Sequence, residues 1–260
     1  MPAAPPASPP YPTAHSVEDF RRSLDAVRGR IAAAAVRAGR SPDEVRLLPV
    51  SKTVPEERLH HAIAAGMHQL GENKVQEAKR KHTNLIDEDV AWSVIGHLQT
   101  NKARDVAAFA AEFQALDSLR LAEALDRRLQ AAGRSLDVFV QVNTSAEESK
   151  YGLAPEEVPA FLRQLSSYAS LNVRGLMTLA LFTSDVERIR TCFVRLRELR
   201  DHARAADPEL IGPGELSMGM SGDYEVAIEE GATCVRVGQA IFGARALNED
   251  HYWPASAEGR

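Results

Sequence analysis

The sequence predicts a single α/β barrel of the (β/α)8 kind. Strand-like and helix-like stretches alternate eight times between residues 46 and 241. The strand-like stretches are near-continuous apolar runs, the pattern of parallel strands buried on both faces. The turn after the first strand, Lys52-Thr53-Val54-Pro55, has no glycine. An open doubly wound sheet, the competing fold, usually carries a glycine-rich turn there. Alternation of this kind implies right-handed crossovers and a parallel sheet.

Residues 1–15 form a tail outside this rhythm. Six of the first twelve residues are proline, so the segment reads as extended and disordered. It has neither a basic n-region nor a long apolar stretch, which argues against a signal peptide. Ser16 then reads as an N-cap, with Glu18 and Asp19 in the first turn and Phe20, Leu24, Val27 and Ile31 at helical spacing. Gly39 reads as the stop. Strands follow at 46–52 (RLLPVSK), 69–73 (QLGEN), 91–97 (AWSVIGH) and 113–117 (FQALD). The remaining four are at 137–143 (DVFVQVN), 173–179 (VRGLMTL), 215–219 (ELSMG) and 234–241 (CVRVGQAI). Helices fill the gaps at 56–65, 74–82, 102–110, 119–132, 155–168, 185–205 and 223–230. The barrel domain is expected over 16–245, with a C-terminal tail at 246–260.

A formal net charge of −5 argues against broad binding to nucleic acid or anionic membranes. The two cysteines, Cys192 and Cys234, cannot make a disulfide framework in a chain this long. No zinc spacing is present, and His60, His61 and His68 read as solvated. No apolar run approaches the length of a membrane span, so the cytoplasm is the expected location.

In a (β/α)8 barrel, the functional surface lies at the carboxyl ends of the strands. Lys52, Asn73, His97, Asn143, Ser217, Gly219, Arg236 and Gly238 end or follow predicted strands, which suggests one site. Leu48, Val50 and Lys52 share a strand face, which places a lysine at the end of a buried row. Burial disfavours the charged amine, and a neutral amine is what Schiff-base chemistry needs. Taken alone, a lysine that snorkels to solvent fits as well. The segment 217–223 (SMGMSGD) runs from a strand into a helix, and 236–243 (RVGQAIFG) spans the last strand. Both fall where barrels commonly bind phosphate. Gly238 and Gly243 have nucleotide P-loop spacing, but Ala244-Arg245 follows where Lys-Ser/Thr is required, so an ATP site is rejected.

Together these stretches resemble the YggS/PROSC family of pyridoxal 5′-phosphate (PLP) binding proteins. The matching segments are PVSKTVP (49–55), LGENKVQEA (70–78), WSVIGHLQTNK (92–102), QVNTSAEESKYG (141–152), RGLMTL (174–179) and 216–245. The resemblance implies a barrel like the N-terminal domain of alanine racemase. It implies that Lys52 forms the internal aldimine with PLP, and that Ser217 and the backbone at Gly238 and Gln239 bind phosphate. It places Arg236 against the pyridine nitrogen, with Asn73 and Met177 lining the pocket. His97 matches a variable position. Lys102 and Lys150 fall in matched segments without an assigned role.

An arginine at the ring nitrogen disfavours its protonation and weakens PLP as an electron sink. That suits a carrier that holds PLP and supplies apo-enzymes better than a transaminase or decarboxylase. The alternative is an amino-acid racemase, which needs an acid/base on each face of the cofactor. In alanine racemases the second base is a tyrosine from a C-terminal domain across a dimer interface. Here the chain stops soon after the eighth strand, and neither Tyr151 nor Tyr224 matches that role. A monomeric, non-catalytic PLP homeostasis protein is therefore expected. A third reading is a barrel that binds another phosphorylated metabolite without a covalent bond.

Overall fold

The computed structural model describes residues 11–147 and 151–244. Eight parallel strands form one sheet in the order β1-β8-β7-β6-β5-β4-β3-β2. They are β1 (Arg46–Pro49), β2 (Gln69–Glu72), β3 (Ala91–Val94), β4 (Glu112–Leu116), β5 (Leu136–Gln141), β6 (Leu171–Met177), β7 (Glu215–Ser217) and β8 (Cys234–Val237). The ring closes between β1 and β2 through a Val50–Gly71 bridge and a bond from Ser51 N to Gly71 O of 2.9 Å. The (β/α)8 barrel read from the sequence is the observed fold.

All eight observed strands end before the apolar runs that encode them. Six predicted strands overrun the observed ends by two or more residues on the carboxyl side. Val142 and Met218, just past observed strands, remain buried in the loops above. Apolar content therefore reports burial there and not ladder pairing. The eighth strand changes most: it ends at Val237, and a short helical turn, α9 (Gln239–Phe242), replaces its second half. Lys52 likewise lies in a turn beyond β1 and not at a strand's last position.

Helices wrap the barrel: α1 (Val17–Arg37), α2 (Glu56–Ala64), α3 (Val75–Asn84), α4 (Ala103–Phe109), α5 (Leu119–Ala132), α6 (Val158–Leu165), α7 (Val186–Ala206) and α8 (Tyr224–Glu229). Each buries an apolar stripe, α2 to α8 toward the barrel and α1 against other helices. α1 starts where Ser16 accepts from Asp19 N and the Asp19 carboxylate returns the bond, a full capping box. It lies outside the eight repeats and packs on α8 and α9, with Phe20 edge-on to Phe242 at 5.5 Å.

Residues 1–10 and 245–260 lie outside the described residues, as does Lys150. Tyr11–His15, expected as part of a disordered tail, instead lie against the barrel. Ala14 is buried, and its carbonyl accepts from Arg58 Nε at 2.8 Å. Ala244 N donates to Tyr11 O, so both ends of the described chain meet there. No helix among the described residues is long and apolar enough to cross a membrane. Both cysteines are buried and unpaired.

Candidate functional site

A polar column runs up the inside of the barrel. Strand register places Gln141, Met177, Ser217 and Cys234 side by side on one face, and Leu48 beside Arg236. At the amino end, Arg46 donates to Glu112 at 2.7 Å and to Gln69 at 2.9 Å. Gln114 Nε2 donates to Glu112, and Ser217 Oγ donates to Gln114 Oε1, both at 2.6 Å. Arg236 Nη1 donates to Ser217 Oγ at 2.6 Å, and its Nη2 to the Thr178 carbonyl at 2.8 Å. Among the described residues this guanidinium forms no ion pair with a carboxylate, although it is only 3% exposed. Burial lowers its affinity for the proton, but arginine stays charged. A fully desolvated cation held on neutral acceptors is suited to an anionic or electron-rich ligand.

Immediately above Arg236, Gly238 caps the turn of α9. The N–H groups of Gly238 and Gln239 have no acceptor among the described residues. Ser221 Oγ faces the same turn, 3.4 Å from Ala240 N. This places the anion-binding potential at Ser221, Gly238 and Gln239. Ser217, the expected phosphate ligand, is wholly buried, with its hydroxyl committed to Gln114 and Arg236. The reason is its place: Ser217 belongs to β7 and faces the barrel interior, whereas Ser221 lies in the loop above.

Lys52 sits next to this cradle. Val50 N bonds Val237 O at 2.9 Å, which joins the segments leading to Lys52 and to Gly238. Lys52 is half-buried in a turn whose next residue, Thr53, has φ +65°. A buried cluster holds that turn from behind. Lys81 of α3, fully buried, donates to Ser51 O at 2.8 Å, Glu72 at 2.7 Å and Glu77 at 2.8 Å. Glu77 also accepts from Thr53 N at 2.7 Å, and Ser51 Oγ donates to Glu72 at 2.6 Å. Burial pushes the Glu72 carboxyl up to about 6 against the pull of Lys81, and its Oε2 has no partner among the described residues.

Asn73, half-buried, follows β2 beside Gly96; a Cβ at Gly96 would meet the Asn73 carbonyl at 2.3 Å, so only glycine lets these loops meet. Met177 is buried beside Ser217. His97 and Asn143 join a separate group. His97 is 3.6 Å from Asp117 and stacks on Tyr151 at 3.8 Å, while Asn143 braces its own loop at Glu147 O. Tyr151 is 58% exposed. Tyr224 is buried under the Arg30 guanidinium, and its unpartnered hydroxyl is pushed up to about 12 by burial. Among the described residues no cluster of three or more His, Cys, Asp or Glu could hold a metal.

The sequence reading passed over Ser221, Gln114, Glu72, Glu77 and Lys81. Glu77 and Lys81 are spaced i,i+4 on a predicted helix, a readable pair signal. Ser221 lay in a segment already singled out. Nothing local marks Gln114, whose importance comes from Ser217 across the barrel.

Residues 23–246 match the family described as alanine racemase, N-terminal domain. The chain is 43% identical over 230 residues to the pyridoxal phosphate homeostasis protein of Pseudomonas aeruginosa, covering 88% of this chain and 96% of that one. It is 39% identical over 236 residues to the protein of that name from Escherichia coli, covering 88% and 98%. The solved structure of PipY from Synechococcus elongatus with PLP bound superposes with a TM-score of 0.76 at 35% identity, over 86% of this chain and all of that one. Alanine racemase from Clostridium difficile shares the fold at 14% identity, with a TM-score of 0.70 over 93% of this chain and 61% of that one.

The fold and the rim it builds thus define an alanine racemase N-terminal-domain barrel. Within that class, the chain belongs to the family of pyridoxal phosphate homeostasis proteins.

Proposed function

We propose that the chain binds PLP through a covalent link to Lys52 and serves intracellular PLP homeostasis without turning over a substrate. The observation that carries this reading is the convergence at one rim of a turn-borne lysine, a backbone anion cradle and a buried arginine, the last two without an acceptor or a carboxylate partner among the described residues. Bound PLP supplies an aldehyde that a lysine amine captures reversibly and a ring that withdraws electrons.

The residues present fit that group. Gly238, Gln239 and Ser221 would hold the phosphate, and Arg236, held by Ser217 and the Thr178 carbonyl, would face the ring nitrogen. Met177 and Asn73 line the ring's surroundings. Ser217 therefore acts through Arg236 and not on the phosphate. A fixed cation there would disfavour protonation of that nitrogen, which would blunt the ring for carbanion chemistry. Tyr224 is turned toward α1, and Tyr151 is stacked on His97, so neither is placed as a second acid/base. The relatives' names support the carrier role, and the PLP-bound PipY supports the cofactor. The protein acts as a cytoplasmic monomer that passes PLP to apo-enzymes.

Purified protein mixed with excess PLP shows a visible absorption band, and borohydride fixes PLP on the peptide that contains Lys52. Lys52→Ala keeps the fold by circular dichroism and loses the band. A band that survives in Lys52→Ala refutes the assignment. Chiral analysis of an amino-acid panel returns no turnover; rates on the order of 1 per second would establish a racemase instead.

A further inference from the structure

Most arginines outside the barrel interior are matched to acids or carbonyls. Arg37 bonds Glu225 and Glu229, Arg174 bonds Glu215, Arg190 bonds Glu229 and Glu230, and Arg200 bonds Asp201 and Gly214 O. Arg21, Arg28, Arg163, Arg188 and Arg195 stand unmatched elsewhere, but at one place four unmatched arginines line a single groove. Between α4 and α5 lies a groove of about 270 Å³ lined by Arg104, Arg120, Arg127 and Arg128. None of the four forms a hydrogen bond or ion pair among the described residues. Thr100 and Asn101 add donors at one end, and Ala124 keeps the floor low.

The pattern follows from helix geometry. Arg120, Ala124, Arg127 and Arg128 fall on one face of α5 at i, i+4, i+7 and i+8. Arg120 and Arg128 are separated by about 12 Å along the axis at 1.5 Å per residue. An acidic chain of net charge −5 thus gathers four guanidiniums at one groove. Three acids lie close by, and none pairs with these arginines: Glu123 stands exposed one turn from Arg120 and Arg127, a single carboxylate against four guanidiniums. Asp105 pairs with Lys79, and Asp126 is buried on Gln130 and Ser170 N. The groove is thus a row of guanidinium forks that form no ion pair among the described residues. Guanidinium forks match phosphate oxygens in pairs.

We propose that this groove binds a small polyphosphate anion, with two or more linked phosphoryl groups laid along α5. The volume holds about nine waters' worth of ligand at ~30 Å³ each, enough for a short phosphate chain. The length of the row favours a linked chain over a single phosphate. The overall negative charge of the chain disfavours a long polyanion such as nucleic acid. The site is distinct from the Lys52 rim, and the proposal does not depend on PLP binding there.

Titration calorimetry on the full chain tests this with tripolyphosphate, pyrophosphate, orthophosphate and a short single-stranded oligonucleotide, without divalent cations and at about 0.15 M salt. Tripolyphosphate binds most tightly, followed by pyrophosphate and orthophosphate. The double variant Arg127→Glu/Arg128→Glu loses tripolyphosphate binding by about a hundredfold, and Arg104→Ala or Arg120→Ala by about tenfold, as expected for lost charge-assisted bonds. All four side chains are exposed, so the variants keep the wild-type thermal midpoint and the Lys52 absorption band. The proposal fails if tripolyphosphate does not saturate, or if orthophosphate or the oligonucleotide binds as tightly. It also fails if the charge-reversed variant binds as the parent does.

Discussion

Ser217 and Ser221 belong to one short segment and face different worlds. Ser217 is sealed in the barrel with its hydroxyl shared between Gln114 and Arg236, whereas Ser221 is half-buried above α9. Two variants separate their roles. Ser221→Ala removes one phosphate donor and leaves the interior column untouched, so PLP affinity falls about tenfold with the absorption maximum unchanged. Ser217→Ala leaves a buried guanidinium and a buried amide each short of a partner, at about 1–3 kcal/mol of stability. It also frees Arg236 to shift against the ring, which moves the band. Equilibrium PLP titration, the spectrum of the saturated protein and urea denaturation read the three effects. Equal PLP affinity in both variants would refute this division of roles.

At the scale of elements, α3 does more than cover β2 and β3. Lys81 reaches through to the carbonyl of Ser51, and Glu77 of the same helix holds Thr53 N, so one helical turn sets the conformation of the Lys52 turn. Lys81→Met leaves the Glu72 carboxylate buried without its cation, a loss of about 3–5 kcal/mol. Glu72 also gives stability a pH signature. Its folded value, about 6, lies above the ordinary 4.5, so the native state holds this proton more tightly than the unfolded chain. Between those values the native state binds more protons, and stability falls as pH rises through the window. At 1.36 kcal/mol per unit, the fall is about 2 kcal/mol, complete above the folded value. Urea midpoints measured across that window for the parent and Glu72→Gln decide the point. The parent's extra decline disappears in the variant; parallel curves would remove Glu72 from the account.

For the whole molecule, alternation and burial made the barrel legible: eight apolar runs separated by helical stretches leave few topologies. The run 234–241 shows the limit, since its apolar residues continue into α9 without a break in hydropathy. Lys52 and the Gly238 turn were legible because they fall near strand ends at the functional rim, and Arg236 through the family resemblance of its segment. Gln114, Glu72 and Lys81 were not, because their partners are brought to them by the closed ring. That closure also makes the site a sensor of the fold. Lys52, Gly238 and Arg236 come from β1 and β8 at opposite ends of the chain, joined through Val50 and Val237. The unfolded chain cannot present this arrangement, so PLP binds the native state and stabilises it by mass action. With free PLP at about 100 times its dissociation constant, the gain is about 2.7 kcal/mol. It appears as a higher urea midpoint with the same slope. Lys52→Ala loses most of the gain, and a PLP-dependent shift of equal size in that variant would mean that the stabilising contact lies elsewhere on the barrel.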